Sequence, residues 1–209
     1  MPLAARLSLD QIDQAVALLR SGEVIAFPTD TVYGLGALPG NAAAVRRLFK
    51  VKRRPAEKAI PILIAEIDDL PKVAANVSPA ARRLIERHWP GPLTVVFRRA
   101  PSFREAADPD TTTVAVRVPA LEAARALIRG AGGALAVTSA NVSGKPAATT
   151  VDDVLLQIGR SIPAIVDGGD TPGGVESSIV DCSRDRPRLL REGALSRAVL
   201  ERTALQRVF

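Results

Sequence analysis

The segment 23–36, EVIAFPTDTVYGLG, decides how this chain is read. Glu23 to Phe27 is a short apolar run that reads as a buried strand, and Pro28 ends it. The polar turn Thr29-Asp30-Thr31 follows. Then come Tyr33 and the pair Gly34 and Gly36, which read as a loop whose backbone N–H groups can approach a ligand closely. A strand end that opens into a small polar loop is where an open α/β sheet places its ligand crevice. The design recurs at 134–144, ALAVTSANVSG, where a strand over Ala134 to Thr138 runs into Ser139, Ala140 and Asn141.

Outward from these two segments, strands and helices alternate. Ser8 with Gln11 reads as a capping box for a helix over about 9–20, which Gly22 stops. Asn41 caps a helix through about Phe49. Beyond it Lys52, Arg53, Arg54 and Lys58 crowd around Pro55, where a helix cannot easily continue, so they read as an exposed basic cluster. Ile60 to Ala65, Leu93 to Phe97, Thr113 to Val118, Ala164 to Asp167 and Ser178 to Val180 are strand-like. Ser78-Pro79 starts a helix that ends near His88 ahead of the turn WPGP, and helices are expected over 120–129, over 151–158 and after Ser196. No internal repeat and no linker-like shift in composition breaks the alternation. The expectation is one α/β domain over 1–209, a twisted mixed sheet with flanking helices.

Composition narrows the function. The chain has 209 residues, 47% hydrophobic and 24% charged, which excludes wholesale disorder and fibrous repeats. Its apolar runs fall well short of the roughly 18 residues that cross a bilayer, and the N-terminus lacks a signal-peptide pattern, so a cytoplasmic protein is expected. One cysteine and one histidine leave too few soft ligands for a zinc site and make a Ser-His-Asp or Cys-His enzyme improbable. The net charge of +6 points toward a polyanionic partner, although five lysines against twenty-three arginines also fit a plain bias toward arginine. Aromatic residues, at 3%, are too few for a base-stacking platform.

Neither GxxxxGK[ST] nor GxGxxG occurs. What remains is four polar segments. The loop at 28–36 joins hydroxyls and a phenol to glycines. Lys52-Arg53-Arg54 suits polyphosphate, because lysine supplies a point charge and arginine a bidentate fork. Arg117, on a strand among apolar neighbours, suits either a structural ion pair or a carboxylate clamp. Thr138 to Asn141 presents hydroxyl and amide groups at a strand end. Taken singly, each also has an ordinary structural reading: a tight turn, a solvated face, an ion pair, a helix cap.

Together, the strings FPTDTVYGLGA, KRRP, WPGPLTVVF, VAVRVP, TSANVSG and SSIVD, in that order over Gly22 to Gly193, resemble the YrdC-like threonylcarbamoyl-AMP synthase family. The resemblance implies a twisted mixed α/β sheet around a large, positively lined cavity. It implies an enzyme, a nucleotidyltransferase that joins ATP, bicarbonate and L-threonine into threonylcarbamoyl-adenylate and pyrophosphate for the modification of tRNA. Mg²⁺ would come with ATP, through ligands that the sequence does not name. By motif, Lys52, Arg54, Lys58, Thr113, Asn141, Thr149 and Arg191 fall on the ATP side, and Thr31, Tyr33, Arg117, Ser139 and Ser177 on the L-threonine side. Lys52, Arg54, Ser139 and Asn141 form the catalytic set. Candidate partners beyond the substrates are tRNA and the downstream transfer machinery, with Arg46, Arg47, Lys50 and Arg53 near the cavity mouth.

The pattern departs from the family where Leu63 replaces a histidine that helps bind threonine, where SSIVD replaces STIVD, and at Glu192, where proline is common. The chain ends at Phe209, as expected for the short form of the family that lacks an extra C-terminal domain. The competing expectation is a non-catalytic paralogue that binds RNA or a nucleotide.

Overall fold

The computed structural model describes residues 2–53, 59–103, 111–172 and 174–205. Arg54 and Lys58 lie outside them. In chain order the elements are β1 (Ala5–Leu7), α1 (Ile12–Arg20), β2 (Ile25–Phe27), β3 (Gly34–Ala37), α2 (Ala42–Lys52), β4 (Ile62–Ile64), α3 (Leu70–Val73) and β5 (Ala74–Ala75). They continue with α4 (Pro79–His88), β6 (Leu93–Arg99), β7 (Thr113–Arg117), α5 (Glu122–Gly130), β8 (Ala134–Ser139), α6 (Val151–Ile158), β9 (Ala164–Val166), β10 (Ser178–Asp181), β11 (Arg188–Arg191) and α7 (Arg197–Leu205). None of the described helices is long and apolar enough to cross a membrane.

The strands form one mixed sheet in the order β1-β9-β2-β3-β8-β4-β7-β6-β10-β11, with β5 beside β6. Helix starts follow the local chemistry. Asn41 Oδ1 accepts from Ala44 N at 3.1 Å, Ser78 Oγ from Ala81 N at 3.2 Å and Thr150 Oγ1 from Asp153 N at 3.1 Å. Asp153 accepts in return from the backbone of Thr149 and Thr150, which holds its carboxyl below the usual range.

Strand alternation divides the side chains between two faces. Ala26, Leu35, Ala136, Ile62, Val116, Val95, Phe97 and Val180 point to one face and form a continuous core with residues of α2, α4, α6 and α7. On the other face Val166, Ile25, Phe27, Val137, Leu135 and Leu63 pack with Ala15, Val16 and Leu19 of α1 and Ala124, Leu127 and Ile128 of α5. That second cover ends at β4. From β7 to β10 the same face carries Ala115, Arg117, Thr94, Val96 and Ile179, which line a cavity.

Two expectations are corrected here. Gly34 and Gly36 sit inside β3, paired to Phe27 and Ile25 of β2 on one side and to Ser139 and Val137 of β8 on the other. A Cβ at Gly36 would lie 2.8 Å from Phe27 Cε1, and one at Gly34 2.9 Å from Val137 Cγ1. The glycines make room for neighbouring side chains in the sheet, so they belong to a strand and not to a loop, with Gly34 at the edge of the cavity described below. Secondly, α2 continues to Lys52 and ends on Arg53 in the left-handed conformation, φ 51°. Lys52 is therefore buried, at 3% exposure, and no part of an exposed cluster.

Candidate functional site

The cavity holds about 670 Å³ and lies over the half of the sheet face that none of the described helices covers. Its floor is apolar and small, from Leu63, Val96, Ala115, Val137 and Ile179; its walls come from the 29–34 turn, the 138–147 loop, Lys52, Glu176, Ser177 and Arg191. Eight residues singled out by sequence meet there: Thr31, Tyr33, Lys52, Arg117, Ser139, Asn141, Ser177 and Arg191. Thr113 shares the strand face of Ala115 and Arg117 but does not line the cavity, and its hydroxyl pairs with that of Thr111 at 3.3 Å. Thr149 also lies off the lining, at the start of α6, where its N–H and hydroxyl both turn to Asp153.

Lys52 joins two segments distant in sequence. Its Nζ donates to Ser139 O at 2.7 Å, Ser139 Oγ at 2.9 Å, Asn141 O at 3.2 Å and Asn141 Oδ1 at 2.7 Å. Asn141 in turn donates through Nδ2 to Lys145 O at 2.6 Å, and Ser143 N donates back to Lys52 O at 2.8 Å. One ammonium at the C-terminal end of α2, where the helix dipole favours a cation, thereby fixes the loop after β8. Its charge stays at the cavity wall.

Arg117 is held on three sides. Nε donates to Gly91 O at 2.9 Å, Nη1 to Thr31 Oγ1 at 3.0 Å and Nη2 to Asp30 Oδ1 at 2.7 Å. Burial lowers the guanidinium's pKa; Asp30 opposes that effect, and the charge of Arg191 adds to it. An arginine remains charged under such a shift. The three bonds engage three of its five N–H groups. Beneath it Thr29 Oγ1 donates to Val32 O at 2.7 Å, and the Thr29 and Thr31 hydroxyls lie 3.0 Å apart. With Arg117 donating to it, Thr31 Oγ1 has one acceptor lone pair left for a ligand.

On the opposite wall Ser177 Oγ lies 2.8 Å from Thr94 Oγ1, and Arg191 donates to Ser177 O through Nε at 3.1 Å and Nη2 at 2.8 Å. Arg191 also pairs with Glu176, and both are about two-fifths exposed. Ser178, the SSIVD departure, takes bonds from Gly193 N at 2.9 Å and Leu195 N at 3.0 Å and donates to Leu195 O at 2.6 Å, which anchors the chain after β11. Tyr33 lines the cavity, but its hydroxyl donates to Gly169 O at 2.7 Å, and burial pushes its pKa up to about 12. Leu63 is part of the floor, paired in register with Arg117. His88 is remote from this wall and meets Thr203 of α7 at 3.1 Å.

Sequence reasoning did not select Thr94, Glu176, Asp30 or Gly91 as site residues. Strand alternation could have found Thr94, which is two positions from Val96 on the cavity side of β6. The other three act through long-range pairings that spacing does not encode.

Among known proteins, the family Sua5/YciO/YrdC, described as telomere recombination, matches residues 17–193. A threonylcarbamoyl-AMP synthase of Bacillus subtilis is 43% identical over 195 residues, covering 91% of this chain and 56% of the relative. A putative threonylcarbamoyl-AMP synthase of Mycobacterium leprae is 37% identical over 185 residues, covering 88% of this chain and 84% of the relative. The crystal structure of Pyrococcus abyssi Sua5 complexed with L-threonine aligns with a TM-score of 0.90 at 37% identity, over 97% of this chain and 61% of that one. The chain spans little more than half the length of the Bacillus relative.

Proposed function

The chain belongs to the Sua5/YciO/YrdC family, and from that premise we propose that it is a nucleotidyltransferase which makes threonylcarbamoyl-adenylate and pyrophosphate from ATP, bicarbonate and L-threonine. The observation that carries the reading is the meeting of Lys52 with Ser139 and Asn141 on one cavity wall, facing an arginine with N–H groups to spare.

The amine of L-threonine adds to bicarbonate with loss of water, and a carbamate oxygen then attacks the α-phosphorus as pyrophosphate leaves. No side chain needs to act as nucleophile; placement and charge compensation carry the step. Arg117 offers its two remaining N–H groups to the amino-acid carboxylate, and Thr31 accepts from the ligand's amine or hydroxyl. Ser177 and Ser139 supply further hydroxyls. Lys52, Asn141, Arg191 and Lys145 take the nucleotide side, joined by Arg54 and Lys58 from outside the described residues. Glu176 is the one carboxylate in the described lining and is already paired, so Mg²⁺ belongs to substrate as MgATP, held by phosphate oxygens and water. The product would pass in the cytoplasm to the machinery that modifies tRNA, with the basic surface of α2 available to RNA.

The test is release of pyrophosphate from MgATP. It should require both L-threonine and bicarbonate. Release at background with all three substrates present would overturn the proposal in favour of a nucleotide- or RNA-binding module.

A further inference from the structure

We propose that Asp30 is the residue that aims Arg117 at the amino-acid carboxylate, a positioning role that rests on the function proposed above. Asp30 does not line the cavity. Its carboxylate is 14% exposed and sits behind the guanidinium, where Oδ1 accepts from Arg117 Nη2 at 2.7 Å and from Ala120 N at 2.9 Å. The Ala120 bond fixes the oxygen, and the oxygen fixes Nη2. The other two anchors are equally rigid in origin. Gly91 O is held because Gly91 N donates to Val118 O at 2.9 Å, at a position where a Cβ would meet His88 O at 2.5 Å and only glycine fits. Thr31 is locked by its contact with Thr29.

Three acceptors from two turns, Asp30 and Thr31 in one and Gly91 in the other, therefore hold the guanidinium plane, and two N–H groups stay unengaged among the described residues on a side chain that lines the cavity. Asp30 is the only charged member of the three. Its contribution can be divided into charge, which compensates a buried cation, and the place of one oxygen, which sets the plane. The geometry assigns amino-acid affinity to the second.

Asp30→Asn keeps an oxygen at that place and removes the charge, whereas Asp30→Glu keeps the charge and moves the oxygen outward by a methylene. L-threonine and MgATP are titrated separately into each variant by calorimetry, with a single cooperative thermal transition required as evidence of folding. Asp30→Ser, whose hydroxyl is too short to reach Nη2, serves as a second displaced variant. Asp30→Asn should bind L-threonine within about threefold of wild type and Asp30→Glu or Asp30→Ser about tenfold or more weakly, with MgATP affinity changed less than about twofold throughout. Wild-type threonine affinity in the displaced variants, or a loss in Asp30→Asn as large as in Asp30→Glu, would overturn this inference alone. A wild-type chain that does not bind L-threonine at all would overturn the functional reading and this inference with it.

Discussion

From β9 to β4 and from β7 to β11 the strands share one continuous sheet face, yet the two halves are finished differently. In the first half Ile25, Phe27, Leu135 and Val137 meet α1 and α5, and glycines in β3 give the Phe27 ring its space. In the second half none of the described helices arrives, and the equivalent positions hold Thr94, Ala115 and Arg117. The covered half is specified by volume, because close-packed side chains tolerate little change in size. The open half is specified by hydrogen bonding: its buried polar groups are satisfied by one another, and what they leave over is available to a ligand. The cavity arises in this fold where the second layer of described helices stops short.

This contrast can be broken in order of expected effect. Lys52→Ala should reduce pyrophosphate release about 10²-fold or more, the scale of one lost preorganised charge, and cost about 1–3 kcal/mol of stability by stranding the oxygens of Ser139 and Asn141. Wild-type turnover in this variant would show that the open half does not work through that ammonium. Arg117→Lys should weaken L-threonine about 10- to 100-fold, since a point charge replaces a fork, and calorimetry would show it. In the covered half Gly36→Ala should lower stability by about 1–3 kcal/mol through overpacking against Phe27, with threonine affinity unchanged. If affinity fell instead, the two halves would not be separable.

The smallest effect concerns His88. Burial first, and then Arg87, lower its pKa below the usual 6.5, so the folded chain favours the neutral ring. The unfolded chain takes up the proton at higher pH than the folded chain does. The ring's contribution is therefore complete above about 6.5 and declines as pH falls toward the folded value. Thermal melts at pH 8 and pH 5 should show the wild type losing more than His88→Ala, while the substitution itself costs on the order of 0.5–1 kcal/mol for the bond to Thr203. Threonine affinity should not change.

Much of this was legible in sequence where the signal is local. Ser78 and Asn41 announce helices because caps act over three residues, and Val151–Ile158 is placed to the residue. The strand Gly34–Ala37 was not legible, because GLGA reads as a turn until Phe27 and Val137 are known to flank it. Arg188–Arg191 was missed too, as an edge strand with arginine at both ends and little burial to pattern it. In the site, motif order supplied Lys52 and Arg117 but gave Lys52 the wrong setting: a lysine among arginines looks solvated, whereas tertiary oxygens from Ser139 and Asn141 draw it inside. Asp30 and Gly91 could not be assigned, because the atoms they hold lie more than 25 positions away in the chain.

The most direct test of the account is a crystal structure of the chain grown with L-threonine and a non-hydrolysable ATP analogue with Mg²⁺. The account predicts the amino-acid carboxylate against Nη1 and Nη2 of Arg117, over the floor of Ala115 and Leu63, with the phosphates toward Lys52 and Arg191. An amino acid bound with its carboxylate turned away from Arg117, or seated instead in the concavity between Leu38, Asp69 and Gly133 at the start of α2, would contradict it.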